Sequence, residues 1–342
     1  MGLFEHKIKD FPRIAEWVEN VDTSGLGDYL SQGEGTRLFL GSGGSFNAAV
    51  FGQHLSLDKG MVALGLTPYF YASSPFYCSH KGKVLLVSAS GNNKDVLRAY
   101  EKCVATGVQE IAALTLSTDG MLQKRFMEDR RGDTLFSFSI PTGRDGFISS
   151  TTVLAFYLLL CKAYGYTGMD SVGLSVSAEE SARIDDFVNR LKRIPQDGLT
   201  EHEAFLHKLE GVDSFFVLYS ARSFPAALDL ESKFSEGAVA NSQLADYRNF
   251  AHGRFNWFTQ RPGQTGVICL AADGDMPDVE EITSRVPNHV PCLCLSSKLP
   301  FPLCTIDLLV KEHFLCSALA ARWGLDISRP VIPPYGRYLY NL

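Results

Sequence analysis

The chain has 342 residues, 45% of them hydrophobic and 20% charged, which is typical of a globular protein with room for two ordinary domains. Its net charge of −6 gives no general attraction to nucleic acid or to an anionic membrane, so we expect neither as a partner. The most apolar window, 152–161, is too short to span a bilayer, and the first residues lack the hydrophobic core of a signal peptide. Eight cysteines scattered through apolar segments indicate buried, reduced thiols, and we therefore expect a cytoplasmic protein.

Strands and helices alternate through the first half of the chain. Residues 4–32 predict one or two amphipathic helices, which form an N-terminal helical segment over 1–33. We predict helices that begin near Ser45, at Lys94 and at Ser149, and strands over 36–41, 67–71, 83–88, 110–116 and 134–140. This alternation predicts an α/β domain over 34–165, built on a parallel sheet with helices on both faces.

The same pattern restarts after a polar connection over 166–198, for which we predict a helix over 176–193. A second domain of the same type is predicted over 199–326. Its strands are expected over 214–219, 265–271, 291–296 and, at the edge, 304–309, and its helices over about 225–238, 277–285 and 311–323. The proline-rich tail, 327–342, is predicted to be extended and, because it is apolar and aromatic, to pack against the body near the active site.

Two of the predicted strands run into loops of small and hydroxyl-bearing residues. The first loop reads Gly41-Ser42-Gly43-Gly44-Ser45, and the second reads Ser88-Ala89-Ser90-Gly91-Asn92-Asn93. Each precedes a predicted helix, so both lie where the strands of a parallel sheet end. Small residues let a ligand approach the backbone, and hydroxyls together with helix N-terminal amides can hold an anion. The two loops therefore indicate a site for a phosphorylated small molecule.

Four segments together resemble the sugar isomerase (SIS) family, which includes the isomerase half of glucosamine-6-phosphate synthase and related phosphosugar isomerases and deglycases. The two loops above are similar to the first two signature loops of that fold. The segment Gly146-Phe147-Ile148-Ser149-Ser150-Thr151-Thr152 resembles the third loop, and 225–236 resembles the helix P-x-A-L-E-x-x-L-K-x-K-E of the second repeat. The resemblance covers about 36–330 and implies two tandem SIS-type domains that bind a sugar phosphate.

The resemblance implies that the first domain holds the phosphate of the ligand. The positions that match the family's phosphate-binding loops are Gly43, Gly44, Ser45, Ser88, Ser90 and Ser149. Asn93 stands where the family usually has threonine, and its side chain can still donate a hydrogen bond. The alternative for each serine is that its hydroxyl only caps a helix.

The resemblance also supplies a catalytic pair. In the family a glutamate moves a proton between C1 and C2 of the sugar and a histidine opens the sugar ring; Glu236 and His252, sixteen residues apart, match them. Aldose–ketose isomerisation needs such a base at the carbon α to a carbonyl. The alternatives are an exposed helix-end carboxylate for Glu236 and a structural turn residue for His252. In relatives the histidine reaches the neighbouring subunit's site, which implies a homodimer with a shared active site.

Several features depart from the synthase pattern. The synthase has a tail lysine that engages the open-chain sugar, whereas this chain has no lysine after Lys311; Tyr335 and Arg337 are the nearest polar residues of the tail. No cysteine nucleophile stands at position 2, so we do not expect ammonia from glutamine. Arg248 and Arg254 flank the histidine and, with Arg337, offer a possible second anion contact, the alternative being surface or interface salt bridges. No cofactor motif or metal-ligand spacing occurs, so neither a cofactor nor a metal is expected.

These observations lead to one preferred function and two alternatives. We predict an enzyme that acts at C1–C2 of a phosphosugar, either an aldose–ketose isomerase or a deaminase or deglycase of an amino or glycated sugar phosphate. The first alternative is a sugar-phosphate sensor without turnover. The second, suggested by the two arginines and the aromatic residues near His252, is an enzyme on a nucleotide-linked sugar.

Overall fold

The computed structural model describes residues 2–33, 35–78, 82–129, 131–166 and 202–339. Within these ranges, two parallel sheets of five and four strands are flanked by helices, which is the α/β architecture that the sequence predicts. The connecting helix expected over 176–193 lies outside the described residues.

The first sheet ends in the predicted loops. Its strands are β1 (Arg37–Gly41), β2 (Ala63–Leu66), β3 (Lys83–Ser88), β4 (Glu110–Thr115) and β5 (Thr134–Ser137). They lie in the order β2-β1-β3-β4-β5, and all their pairings are parallel. Every residue of the central strand β3 is buried, as a sheet covered on both faces requires. The strand order reverses between β1 and β3, and the loops that leave such a switch point diverge and make room for a ligand.

Helices cover both faces of this sheet and form an N-terminal group before it. They are α1 (Leu3–Lys9), α2 (Phe11–Glu19), α3 (Ser24–Ser31), α4 (Gly44–Asp58), α5 (Pro68–Ser73), α6 (Pro75–Cys78), α7 (Lys94–Ala105), α8 (Met121–Asp129) and α9 (Thr151–Ala163). The predicted starts at Ser45, Lys94 and Ser149 agree with α4, α7 and α9 to within two residues. The helix α8 lies in a polar stretch for which the sequence analysis predicted no element. Its apolar pattern is weak, because Leu122 and Phe126 are its two buried residues.

The second sheet has four parallel strands. They are β6 (Ser214–Tyr219), β7 (Asn241–Asp246), β8 (Thr265–Ala271) and β9 (Cys292–Ser296), in the order β7-β6-β8-β9. The strands predicted over 214–219, 265–271 and 291–296 are confirmed. The strand β7 was not predicted, since it lies at the edge of the sheet and its polar sequence Asn-Ser-Gln-Leu-Ala-Asp buries only Ala245 fully.

The helices of this half are α10 (Glu203–Leu206), α11 (Phe224–Glu236), α12 (Tyr247–Ala251), α13 (Trp257–Gln260), α14 (Met276–Arg285), α15 (Leu303–Arg322) and α16 (Pro334–Leu339), with a 3₁₀ turn over Arg254–Asn256. Among the helices of the described ranges, none is long and apolar enough to cross a membrane.

Two predicted strands are wrong. The segment 304–309 belongs to the helix α15. All of 303–310 is buried, so its sequence lacks the alternation of apolar and polar faces that marks a surface helix. The segment 67–71 is a helix start instead: Thr67 Oγ1 accepts a hydrogen bond from the Phe70 amide, and Pro68 occupies the first helical position. The strand expected there lies just before it, at β2.

One apolar core joins the two halves of the molecule. The helices α4 and α9 of the first half pack against α11 and α15 of the second. Phe51 stacks on Tyr157 with ring centroids 4.1 Å apart, and the Tyr157 hydroxyl donates to the Pro225 carbonyl at 3.2 Å. The inner helices of each half are therefore shielded from solvent by the other half.

A charged network is enclosed in this joint core. Lys233 of α11 forms ion pairs with Asp229 of the same helix and, over 3.7 Å, with Glu312 of α15; all three side chains are buried. Asn47 of α4 donates through Nδ2 to Asp229 at 2.7 Å, which ties the first half to the second. Burial raises the pKa of Asp229 to about 6, and the nearby ammonium opposes that rise. Burial lowers the pKa of Lys233, but the two carboxylates outweigh it and the net direction is upward, so the lysine stays charged.

The tail begins buried and then leaves the body. Ile327 and Ser328 are buried, and the Ser328 carbonyl accepts a hydrogen bond from the Phe147 amide at 3.3 Å. Further on, Val331 is 97% exposed and Tyr338 is 79% exposed. In the single chain the large apolar side chains that the structure describes after residue 330 are therefore exposed, whereas the sequence analysis expected them to pack against the body. The tail is also not extended throughout, because Pro334 occupies the first position of α16, where proline is tolerated. The first tail residues lie beside the third signature loop.

Replacement of Lys233 by methionine tests the network. The substitution leaves two buried carboxylates without their cation, and we expect it to lower the free energy of unfolding by about 3–5 kcal/mol. Urea unfolding followed by circular dichroism measures the change. The exposed Lys102, replaced by methionine in the same way, serves as the control and should change stability by less than about 0.5 kcal/mol. Equal stabilities of the two variants would contradict the assigned role of the network.

Candidate functional site

A cavity of about 480 Å³ opens at the carboxyl edge of the first sheet. It is lined by the loops that follow β1, β3, β4 and β5. The sequence-predicted residues on its lining are Gly44, Ser45, Ser88, Ser90, Asn93 and Ser149. The three loops that the sequence predicts, which lie after β1, β3 and β5, thus meet with the loop after β4 around one space.

The first and third loops touch because Gly44 has no side chain. A Cβ built on Gly44 would stand 2.7 Å from Cβ of Ser149, closer than two such atoms can approach. The neighbouring Gly43 has φ of +56°, a conformation that favours glycine, and precedes the first turn of α4. These two glycines therefore bring Ser45 and Ser149 to the same side of the cavity.

The serine hydroxyls of the cavity differ in their local bonding. Ser88 Oγ accepts a hydrogen bond from the Gly91 amide, and Ser90 Oγ accepts one from the Asn92 amide, each at 3.2 Å. Both hydroxyls keep their own hydrogen for a ligand. Within the part of the chain that the structure describes, Ser45 and Ser149 have no side-chain hydrogen-bond partner, so both are free to bind. The amides of Gly91 and Asn92 precede α7, so neither Ser88 nor Ser90 caps that helix.

Asn93 caps the helix α7. Its Oδ1 accepts hydrogen bonds from the amides of Asp95 and Val96, each at 3.0 Å. Its Nδ2 group is not used by that cap and provides two donors at the cavity. Asparagine therefore serves as a helix cap and still offers the donor that threonine supplies in the family pattern.

The start of α9 is occupied by a side chain of the protein itself. The carboxylate of Asp145 accepts hydrogen bonds from the amides of Ser150, Thr151 and Thr152, at 2.8 to 3.2 Å, and from the hydroxyls of the same three residues. Burial alone would raise the pKa of this carboxyl, but these hydrogen bonds lower it below the usual aspartate range. The three amides at the start of α9 are therefore already used by Asp145 and are not free for a ligand.

Two charged residues of the cavity were missed by the sequence analysis. Arg144 and Asp145 lie just before the segment that was compared with the third loop, and both line the cavity. A signal for Asp145 existed, since an acidic residue shortly before a helix start rich in serine and threonine is typical of a cap. No comparable local pattern marks Arg144, whose position depends on the cavity that three distant loops form.

Glu236 lies at the end of α11, against the first loop. Its Oε1 is 3.9 Å from the position of a Cβ built on Gly43, and it accepts a hydrogen bond from Ser232 Oγ at 2.9 Å. The side chain is half-buried. Burial raises the pKa of Glu236, and the hydrogen bond from Ser232 and the charge of Lys233 offset only part of the rise. The second half of the chain therefore contributes a carboxylate of raised pKa next to the loop of Ser45.

His252 is not brought to Glu236 within one chain. Phe234 of α11 packs against Phe215 on one face of the second sheet, whereas Phe250 of α12 packs against Phe216 on the other. The sheet thus separates the helix of Glu236 from the segment of His252. His252 is exposed, directly after α12.

The proposed second anion contacts also lie away from the cavity. Arg248 and Arg254 are exposed on the segment of His252, and neither is among the cavity residues of the described chain. The charge of Arg254 acts on Tyr219 at the carboxyl end of β6. Arg337 belongs to α16, but its side chain lies outside the described residues.

One described cluster has the composition of a metal site. Ligand atoms of Asp229, Glu312 and His313 lie within 4.8 Å of one another, and all three residues are buried. Burial lowers the pKa of His313 to about 3, so this ring is neutral at ordinary pH. Because the ammonium of Lys233 already pairs with both carboxylates, a cation is present in the cluster without any metal.

Several solved structures of the same fold belong to proteins named for reactions of phosphosugars. The C-terminal domain of glucosamine-fructose-6-phosphate aminotransferase from Francisella tularensis is 12% identical, with a TM-score of 0.71 over 96% of this chain and 98% of that one. Glucosamine-6-phosphate deaminase from Thermotoga maritima is 17% identical, with a TM-score of 0.71 over 96% and 97%. Tagatose-6-phosphate ketose/aldose isomerase from Escherichia coli is 16% identical, with a TM-score of 0.67 over 97% and 96%.

These similarities establish the fold and not the reaction. No protein-family model and no curated protein matches the chain. The α/β fold predicted from the sequence is confirmed, since these solved structures share it over almost the whole chain. At such low sequence identities the ligand and the reaction cannot be transferred from these proteins, and they have to be argued from the residues of this chain.

Substitution of Asp145 tests its role as the cap of α9. Asp145→Ala removes every side-chain acceptor for the three amides, and we expect a loss of about 2 kcal/mol or more in the free energy of unfolding. Asp145→Asn keeps one acceptor oxygen and should lose less. Since the folded-state pKa is lowered, this contribution is present above the unfolded value of about 3.9 and is lost as the pH falls through the folded value. Urea unfolding at pH 3 and pH 7 measures both effects, and a wild-type advantage over Asp145→Ala that is equal at the two pH values would contradict this account.

Proposed function

We propose that the cavity binds the phosphate of a phosphosugar and that Glu236 acts at C1–C2 of that sugar. The observation that carries the proposal is the convergence of Ser45, Ser88 and Ser149 on one cavity, with the Glu236 carboxylate against the loop of Ser45. Hydroxyl donors and the start of α4 suit a phosphate group. A cavity of about 480 Å³ also has room for the sugar.

The proposed reaction is a proton transfer within an open-chain sugar. Glu236, as carboxylate, takes the proton from C2 of an aldose, which lies α to the C1 carbonyl, and an enediolate forms with its negative charge on O1. The hydroxyl proton then passes from O2 to O1, the carboxylic acid of Glu236 returns its proton to C1, and the carbonyl is then at C2. A carboxyl whose pKa is raised towards the working pH is a stronger base than an ordinary glutamate and a better acid in the second step. A deaminase or deglycase would use the same enediol chemistry to release an amine.

Exchange of the C2 proton tests the role of Glu236. Phosphosugars that raise the melting temperature of the wild type are incubated in deuterium oxide, and incorporation at C2 is followed by NMR. We expect incorporation in the wild type, a decrease of about 10²- to 10⁴-fold in Glu236→Gln, and unchanged binding of the sugar. The acidic limb of the wild-type rate profile should lie above pH 4.5, because burial raises the pKa of Glu236 and the base form is lost as the pH falls through that value.

The control for this experiment is Glu231→Gln, a half-buried glutamate of the same helix that also accepts a hydrogen bond from a serine, Ser235 Oγ at 3.0 Å, and this variant should exchange like the wild type. Binding of phosphosugars without any exchange in the wild type would contradict the enzymatic proposal. That result would instead support the sensor alternative, which the structure favours in one respect: among the described residues, the cavity lining includes neither Glu236 nor His252.

We further propose that the complete site needs two copies of the chain. The second sheet separates Glu236 from the segment of His252, so the histidine of one chain cannot open a sugar that is bound beside Glu236 of that chain. An exposed His252 on a short helix end can reach a partner's cavity. A homodimer with twofold symmetry would then form two equal sites, each with Glu236 from one chain and His252 from the other.

Mixing two inactive variants tests the shared site. Glu236→Gln and His252→Asn are denatured together in equal amounts and refolded. Half of the dimers then carry one variant of each kind, and each such dimer holds one site with both native residues. We expect about a quarter of wild-type exchange from the mixture and almost none from either variant alone. If the mixture is as inactive as the separate variants, although native mass spectrometry with a tag on one variant shows mixed dimers, the shared site is ruled out.

The nucleotide-sugar alternative gains no support from the aromatic residues. Trp257 donates through Nε1 to Thr265 Oγ1 at 2.9 Å, and Phe258 is buried against Phe216 and Phe250. The rings of Trp257 and Phe258 therefore belong to the outer core of the second sheet, whereas Phe255 is 47% exposed beside His252.

A further inference from the structure

The charges on the cavity lining are confined to two adjacent residues. Among the lining residues of the described chain, Arg144 is the cation and Asp145 is the anion. The other lining residues are apolar or neutral and include the serines discussed above. The loop after β5 therefore determines the charge of the whole cavity.

The anionic member of this pair works against the binding of a phosphate. Asp145 is ionised, since its hydrogen bonds lower its pKa, and it occupies the three free amides at the start of α9. The amides of Asp95 and Val96, at the start of α7, are likewise used by Asn93. Of the three helix starts at the cavity, only that of α4 remains without a carboxylate or amide cap from a side chain. Helix amides therefore contribute less to an anion here than the loop sequences indicate.

The cationic member is available for a ligand. Arg144 is exposed, and it forms no ion pair with any residue that the structure describes. The carboxylate to consider here is that of Asp119. Its pKa is lowered mainly by a hydrogen bond from Ser117 and, to a smaller extent, by the charge of Arg144. The Asp119 carboxylate is held by Ser117 Oγ and not by the guanidinium.

We propose that Arg144 is the charged phosphate contact of this site and determines its preference for a dianionic ligand. The proposal rests on the proposed phosphosugar function and adds a cation inside the cavity to the neutral phosphate donors of the sequence analysis. The guanidinium offsets the charge of Asp145 and donates two parallel hydrogen bonds to phosphate oxygens, a geometry that suits this side chain. The serines and the Nδ2 group of Asn93 then fix the orientation of the phosphate.

This arrangement predicts how binding depends on the charge of the ligand. A phosphate monoester gains its second negative charge near pH 6. Binding to the wild type should therefore strengthen between pH 5.5 and pH 7.5, and the increase should depend on Arg144. A sugar without phosphate should bind far more weakly at both pH values.

The experiment measures the affinity of fructose 6-phosphate, inorganic phosphate and fructose by isothermal titration calorimetry at pH 5.5 and pH 7.5. We expect Arg144→Gln to weaken the binding of both phosphates about 10- to 100-fold at pH 7.5 and to remove most of the gain between the two pH values. Arg144→Lys should restore part of the affinity. The control Arg125→Gln, on the exposed face of α8, should bind like the wild type.

The outcomes separate this proposal from the function on which it rests. If the wild type binds phosphates and Arg144→Gln binds them equally well at pH 7.5, Arg144 is not the phosphate contact, while the phosphosugar function stands. If the wild type does not distinguish fructose 6-phosphate from fructose, the phosphate site itself is wrong and both proposals fail. Circular dichroism of each variant establishes that it is folded, and Arg144→Lys provides the comparison if the glutamine variant is not.

Discussion

The contact between Asn47 and Asp229 determines how the two halves of this molecule are placed. Asp229, Lys233 and Glu236 follow one another at intervals of four and three residues, so they share one face of α11. The first two are held in the core by Asn47 and Glu312. Because a buried ammonium without its carboxylates is costly, the helix cannot shift along its neighbours. Glu236, one turn further on, is thereby fixed against the loop of Gly43.

This constraint explains why the site belongs to both halves. The first sheet supplies the cavity and its donors, whereas the carboxylate comes from the end of α11, the helix that follows β6 of the second sheet. In parallel α/β folds the loops at strand ends usually provide the whole site. Here the packing of α4 against α11 adds a residue from a helix end, and a small error in that packing would move Glu236 relative to the sugar.

Much of the fold could be predicted from the sequence because its buried strands are strongly patterned. The strands over 83–88, 214–219 and 265–271 were predicted to the residue, since each is an apolar run bounded by turn residues or loops. The failures have physical causes. The polar edge strand β7 buries little and so carries no apolar signal, and the helix α15 is buried on every side, which makes part of it look like a strand.

The candidate site was predictable only in part. Loops with glycine and serine at strand ends led to Ser45, Ser88, Ser90 and Ser149, and the cavity contains all four. The charge of the cavity could not be predicted from such loop patterns. Arg144 and Asp145 lie outside the compared segment, and the effect of Asp145 depends on hydrogen bonds to three amides that only the folded loop displays.

The hydrogen bond from the Phe147 amide to the Ser328 carbonyl connects the start of the tail to the loop that lines the cavity. Phe147 lines the cavity together with Arg144 and Asp145, so the first tail residues help to hold the backbone of the loop that carries both charges.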